Sequence, residues 1–454
     1  LVNAGDMIGG SPLISALFQD EPTVEVMESL GMDVGTLGNH EFDEGIAELQ
    51  RMIGGGEHPQ GKGTEGYDGM NFPVIAANAF DKSTGKLVTG APYAVKEVGG
   101  QKIGFIGVIT QETPDMIVTK GNENLQITDE VEAIDKYTAE LKAQGIEAIV
   151  VLAHNPTNQD GYADLYDATK IAETVNDEVD VIFAAHNHAF NDKEVDNKLI
   201  VQAYSYGSAF SDVDLELHPV TGEIIKKEAE VVTVYQTDYT PDPAVSAIMK
   251  KYEDEIAPMK AEVVGNSLTT LAKGYPSVTA EFADNGLGNL LADGMKAAMN
   301  SDFALMNGGG VRAQLDAGEV TFGDLFSIQP FGNVLNKTNL SGADLKEVLN
   351  KQITPKGLDF HIAGFKYTYT WDDTAKTGQV VDLFLPNGEK VDPAKEYSVV
   401  VNNYMYGNAS YGILPLATGL EVGPEDLEAT VAFVKTLKSP FEYKQEGRIQ
   451  KVTK

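Results

Sequence analysis

The apolar positions in the first half of the chain follow two alternating patterns. Residues 21–30 repeat at helical spacing, with Val26, Met27 and Leu30 on one face, Pro22 suited to a first turn and Gly31 placed to close it. Residues 129–143 do the same through Val131, Ile134, Tyr137 and Leu141, closed by Gly145. Around them stand short apolar runs, 33–37, 72–77, 103–109, 148–153 and 179–185, each of the length of a buried strand. Strands alternating with helices predict a layered α/β domain.

From 199 to 238 the pattern changes to alternation, as in Val213, Leu215 and Leu217, which predicts edge strands. Pro241 and Pro243 mark a boundary, and 242–257 reads as an exposed charged helix that Pro258 ends. A second unit follows, with a helix at 287–299, a glycine-rich turn at 307–310 and β-rich sequence over 365–385. The expected division is 1–238, a linker helix over 239–263, and 264–454.

Charge narrows the function classes. With 68 acidic against 34 basic residues, the formal net charge is −34. Such a surface repels nucleic-acid polymers and anionic membranes, so no polymer partner is expected. An anionic substrate must be small and drawn by a local positive centre, which a bound metal can supply. The chain has no cysteine, which excludes disulfides, thiolate metal sites and cysteine nucleophiles. No apolar run reaches the roughly 18 residues of a membrane span, and no signal-peptide pattern is visible. Leu1-Val2-Asn3-Ala4-Gly5-Asp6 reads as a strand running into a loop, so further residues are expected upstream.

Four of the seven histidines fall in three clusters, each directly after an apolar strand: Gly38-Asn39-His40-Glu41-Phe42-Asp43, Leu152-Ala153-His154-Asn155 and Ala185-His186-Asn187-His188. Gly5-Asp6 has the same placement. Ligands at the carboxyl ends of strands converge on one edge of an α/β sheet, where active sites form. A lone histidine after a strand is usually structural; an Asp, an Asn and four His at successive strand ends point to a metal site. Imidazole and oxygen ligands without sulfur suit Zn, Mn, Fe or Co. His58, His218 and His361 lack this context and read as surface or structural residues.

These residues carry a resemblance. Gly5-Asp6, Gly38-Asn39-His40-Glu41, His154 and His186-Asn187-His188 look like motifs of the calcineurin-like metallophosphoesterases, and the run to Gly45 resembles the bacterial 5′-nucleotidase and 2′,3′-cyclic nucleotide phosphodiesterase branch. Asn307-Gly308-Gly309-Gly310-Val311-Arg312 and Gln329-Pro330-Phe331-Gly332-Asn333 look like that family's C-terminal domain. The resemblance implies a four-layer α/β/β/α sandwich followed by an α+β 5′-nucleotidase domain. It implies two divalent metal ions, with Asp6 bridging them, Asn39, His154 and His186 on one ion and His188 on the other. His40 is then the catalytic histidine, close to the phosphate. The family's first motif, an Asp-x-His before Asp6, is not in this sequence.

Two metals lower the pKa of a shared water and neutralise phosphoryl charge, and His40 can stabilise the transition state or protonate the leaving group. In the second unit, the resemblance places Asn307, Gly309 and Arg312 in a substrate pocket, with a nucleobase stacked between Phe331 and Tyr404. Glycines admit close backbone approach, and arginine offers a planar fork to an anion. Two departures bear on the substrate. No arginine occurs over 279–285, and the turn 407–411 carries Ser410 where many members have an aspartate. The implied activity is hydrolysis of nucleotide phosphoesters outside the cytoplasm. A nucleotide-sugar pyrophosphatase, and a nucleotide-binding surface protein with a degenerate metal site, remain as alternatives.

Overall fold

The computed structural model describes residues 1–157 and 167–453. The chain forms two compact units, one of Leu1–Gly10 with Ile14–Tyr252, the other of Ser11–Leu13 with Glu253–Lys454.

The first unit is built on a six-stranded sheet in the order Phe190–Val195, Lys198–Ala203, Val181–Ala184, Ala148–His154, Gln101–Ile109, Tyr93–Val98. Its four inner strands are parallel and its outer two antiparallel. Every residue of Ala148–His154 is buried, as a parallel strand covered on both faces requires. On one face Ile106, Ile149, Val151 and Ile182 pack with Ile134, Tyr137 and Leu141 of helix Glu130–Ala143 and Ile171 of helix Ala168–Thr174. On the other, Val150, Leu152, Val181 and Val201 meet Val34 and Ile75. These two residues belong to a parallel sheet of Val2–Asn3, Val34–Thr36 and Val74–Ile75. Beyond that small sheet, Leu37, Val74 and Ala76 pack with Leu49 and Met52 of helix Ile46–Gly54 and Val24 of helix Glu21–Ser29. The layers therefore run helix, sheet, sheet, helix. Each fully buried aliphatic side chain contributes roughly 1.5–3 kcal/mol, so the apolar runs themselves fix this layering.

Three elements differ from expectation. Helix Glu21–Ser29 buries Glu21, Pro22 and Val24 most deeply; of the expected face Met27 packs partly against the core, while Leu30 is 52% exposed. The buried Glu21 carboxylate pairs with Arg51 at 2.8 Å. The run 72–77 narrows to the two-residue strand Val74–Ile75. Helix Pro243–Lys260 runs through Pro258 and buries Tyr252 and Ile256. Pro258 lies in its last turn and removes one donor without displacing the rest. The alternating segment does form a two-stranded hairpin, Ala209–Leu217 with Ile224–Thr233, whose Val213, Leu215 and Leu217 join the inner core.

The second unit centres on a five-stranded sheet in the order Phe360–Ala363, Phe303–Asn307, Glu396–Asn402, Val334–Ser341, Thr418–Glu425. Side chains alternate across it. Phe303, Leu305, Val399 and Val401 face Leu345 and Val348 of helix Gly342–Lys351, with Tyr367 and Tyr369. Ala304, Met306 and Val400 face Leu287, Leu290, Leu291 and Met295 of helix Gly286–Met299. Asn285 caps that helix by accepting from the Gly288 N–H at 2.8 Å, an interaction worth about 1 kcal/mol.

Candidate active site

In the first unit, Asp6 follows strand Val2–Asn3, Asn39 and His40 follow Val34–Thr36, His154 ends Ala148–His154, and His186 and His188 follow Val181–Ala184. These strands belong to two different sheets, so the residues converge across a sheet pair and not along one edge. Asp6, His186 and His188 have φ of 57°, 75° and 55°. Such backbone costs about 1–3 kcal/mol per residue and concentrates at functional sites. Gly5 and Gly38 make the approach possible. A Cβ on Gly5 would lie 2.6 Å from His154 Nδ1, and one on Gly38 would run into the Asp6 carboxylate.

Asp6, His154 and His186 hold ligand atoms within 4.8 Å of one another. His154 Nε2 lies 3.1 Å from Asp6 Oδ2 and 3.3 Å from His186 Nδ1. Asn39 Oδ1 lies 3.0 Å from that same Nδ1. His154 Nδ1 donates to the Ala4 carbonyl at 2.8 Å, which leaves Nε2 to turn its lone pair inward. Burial pushes the Asp6 carboxyl up, but His154 and His40 outweigh it and hold the carboxyl below the usual range. Burial pushes His154 down, and Asp6 more than offsets that, so His154 ends raised. Burial, with His154 beside it, pushes His186 down to about 3. The set thus favours one shared positive charge, a proton on His154 or a metal ion. The His188 ring lies edge-on to Tyr206 at 5.3 Å.

His40 opens a short 3-10 turn, His40–Phe42. Its backbone N–H donates to Asp6 Oδ1 at 3.0 Å, and its Nδ1 to Asp43 Oδ2 at 2.8 Å. Asp43 therefore orients the His40 ring through Nδ1. Glu41 is buried behind the loop and accepts from the N–H groups of Asp6, Met7 and Gly38. Burial, and then Asp6, push the Glu41 carboxyl up to about 7. Neither role was visible in the sequence. The one available signal was that Glu41 and Asp43 follow His40 in the same short run.

In the second unit, Asn307 ends strand Phe303–Asn307, and its Oδ1 accepts from Asn402 Nδ2 at 2.9 Å. Gly308 donates to Asp359 Oδ1 at 2.9 Å. Arg312 Nη1 reaches the Gly309 carbonyl at 3.4 Å, and the guanidinium stands 5.5 Å from the Phe331 ring centroid. Tyr404 meets Tyr411 edge-on at 5.7 Å, and Tyr411 hydrogen-bonds Asp359, which ties Tyr404 to the glycine turn. Ser410 donates its hydroxyl to Asn408 at 2.7 Å, so it offers a ligand an acceptor. The sequence reading missed Tyr275, whose ring occupies the space a Gly308 Cβ would take and whose hydroxyl lies beside Gly309. It also missed Lys273, which burial and the neighbouring Arg312 push down. His361 is fully buried in strand Phe360–Ala363, a structural position.

Residues 1–190 match the calcineurin-like phosphoesterase model and 263–414 the 5′-nucleotidase C-terminal domain model. The chain belongs to the family that joins these two domains. It is 49% identical to the endonuclease YhcR of Bacillus subtilis, over 99% of this chain and 36% of that protein. It is 33% identical to the cell wall protein Lmo0130 of Listeria monocytogenes, over 100% of this chain and 63% of that protein. The chain thus spans less than two thirds of each of these relatives. A 5′-nucleotidase precursor from Thermus thermophilus superposes with a TM-score of 0.81 at 25% identity, covering 100% of this chain and 90% of that one.

The phosphoesterase fold holds divalent metal ions, and the residues fit one ion well. A carboxylate, two ring nitrogens and an amide oxygen face one another, a donor set suited to a borderline divalent cation. No helix among the described residues is long and apolar enough to cross a membrane.

Proposed function

We propose that the chain hydrolyses nucleotide phosphoesters, releasing phosphate from nucleoside 5′-monophosphates and opening 2′,3′-cyclic nucleotides. The observation that carries this reading is the convergence of Asp6, Asn39, His154 and His186 beside a histidine whose ring is oriented by Asp43. Two divalent ions, Mn, Zn, Fe or Co, would be held by Asp6, Asn39, His154, His186 and His188, and would supply charge neutralisation and an activated water. Protonated to the imidazolium, which Asp43 stabilises, His40 would donate a hydrogen bond or a proton to a phosphoryl or leaving oxygen. Asn307, Gly309, Arg312, Phe331, Tyr404 and Ser410 bind the nucleoside portion, with Arg312 supplying a cation in an otherwise acidic protein. The domain limits 1–238, 239–263 and 264–454 belong to the same proposal.

One relative is named an endonuclease, which agrees on attack at phosphorus. The net charge of −34 favours short substrates over long polymers for this chain. Kinship with a cell wall protein supports a place outside the cytoplasm. The test is phosphate release from AMP and 2′,3′-cyclic AMP by protein stripped of metal and refilled with Mn or Zn, beside His40→Ala. Metal-dependent turnover that His40→Ala lowers by on the order of 10²–10⁴ fits a general acid. Turnover that ignores metal or His40 refutes the reading.

A further inference from the structure

The second unit carries a cavity that the nucleotide reading does not use. It lies on a three-stranded sheet in the order Thr377–Phe384, Lys366–Asp372, Ile449–Lys451. Its volume is about 700 Å³, within the roughly 300–1,000 Å³ of sites that take a whole small molecule. None of Asn307, Gly309, Arg312, Phe331, Tyr404 and Ser410 lines it. Its wall does contain Trp371, the only tryptophan of the chain.

The indole is held in place from two sides. Trp371 faces Gly378 across the strand pair, and a Cβ on Gly378 would come 3.2 Å from the indole Cε3. The missing side chain thus lets the ring lie over the neighbouring strand. Trp371 Nε1 donates to Asp373 Oδ1 at 2.9 Å. Asp373 Oδ2 lies 3.6 Å from Lys451 Nζ, which also donates to the Val278 carbonyl at 3.2 Å. Beside the indole, Thr370 lines the same cavity and is 6% exposed, and its hydroxyl has no hydrogen-bond partner. Buried hydroxyls are normally satisfied, so this one marks a place where an entering hydroxyl gains a bond. Gln379, paired with Thr370 across the strands, and Glu281 add an exposed amide and carboxylate to the wall.

The chemistry of this wall selects its ligand. Glu281, Asp372 and Asp373 outnumber Lys451, which disfavours an anion. A single ring, with a lysine already beside it, is not the cage of several rings that holds an ammonium. A pyranose suits both parts of the wall. Its C–H face packs flat on an indole, and its hydroxyls donate to carboxylates and exchange hydrogen bonds with an amide. We propose that this cavity binds a neutral oligosaccharide, with Trp371 as the stacking surface and Glu281 and Gln379 as hydrogen-bonding partners. The site stands independently of phosphoester hydrolysis.

The experiment titrates the full chain with maltotriose, with N,N′,N″-triacetylchitotriose and with choline, following the emission of the single tryptophan and the heat of binding. The expected result is a saturable blue shift and a measurable Kd for at least one of the two trisaccharides, with none for choline and no displacement by AMP. By calorimetry, Trp371→Ala should weaken that binding about tenfold or more, and Gln379→Ala, at an exposed position, several-fold. Phosphate release from AMP should be the same in both variants as in wild type. If Trp371→Ala loses its melting transition, Gln379→Ala and Glu281→Gln decide. No response to either trisaccharide overturns the proposal, as do binding of choline alone, displacement of the sugar by AMP, or an affinity that every folded variant leaves intact.

Discussion

The two candidate sites are built from opposite materials. The phosphoesterase site is made of buried ionisable groups, Asp6, Glu41, His154 and His186, held by positive-φ backbone and by glycines that admit no Cβ. The site in the second unit is made of partly exposed rings and one arginine around a glycine turn, with Arg312 lying over Phe331 at 5.5 Å. The first arrangement gathers a few ligand atoms within 4.8 Å of one another, the kind of positioning that chemistry at phosphorus demands. The second offers flat surfaces and a cation, which suffices to hold a base and tolerates variation. On the proposed reading, reaction and recognition are separated in the chain, and each should fail in its own way.

The largest effect is expected from His154→Ala. It removes an inward lone pair and leaves Asp6 without its neighbour, and should lower kcat by on the order of 10³-fold or more on every phosphoester, with metal content falling in parallel. Metal analysis beside steady-state rates checks this; a loss confined to nucleotides would break the separation. Next is Phe331→Ala. Losing one stacking face should raise KM for AMP by about 5- to 100-fold, and raise it far less for an aryl phosphate without a base. A matching collapse of kcat would show that the two sites do not divide the work as described.

The smallest effect concerns Asp426, which lies beneath the turn that carries Phe331. Its N–H donates to the Asn333 carbonyl at 2.7 Å, and burial pushes its carboxyl up to about 7. Because the folded value lies above the unfolded one near 4, its contribution to stability is fully present below about pH 4. It is lost as pH rises through about 7. Asp426→Asn should flatten that decline. Melting temperatures at pH 5 and pH 8 should therefore differ by a few degrees less in the variant, since about 1 kcal/mol moves a unit of this size by roughly 2–4 °C. An equal pH dependence in both proteins would remove Asp426 as its source.

Much of this was legible beforehand because the chemistry sits on strong local patterns. Continuous apolar runs such as Ala148–His154 announce strands buried on both faces, and polar residues at their ends then announce a site. Asn285 and Asp129 stand where helix caps belong, and each accepts a backbone N–H there. Less legible were effects that depend on a distant partner. Glu21 is buried in the first turn of helix Glu21–Ser29 with Arg51 as its ion-pair partner. Tyr275 reaches the glycine turn from residues the motif does not include, and Tyr206 meets His188 from outside that residue's motif.

The sequence by itself determined the order of elements, the two-unit composition, the nitrogen and oxygen ligand chemistry and the candidate residues, because each follows from spacing along the chain and residue type. Only the tertiary structure decided that the ligands converge across two sheets, that Asp43 rather than a neighbour orients His40, that Glu41 is buried behind the loop, and which aromatics face solvent. Those outcomes depend on which surfaces are buried together, and burial joins residues more than a hundred positions apart, such as His154 with Ala4, that no local pattern connects.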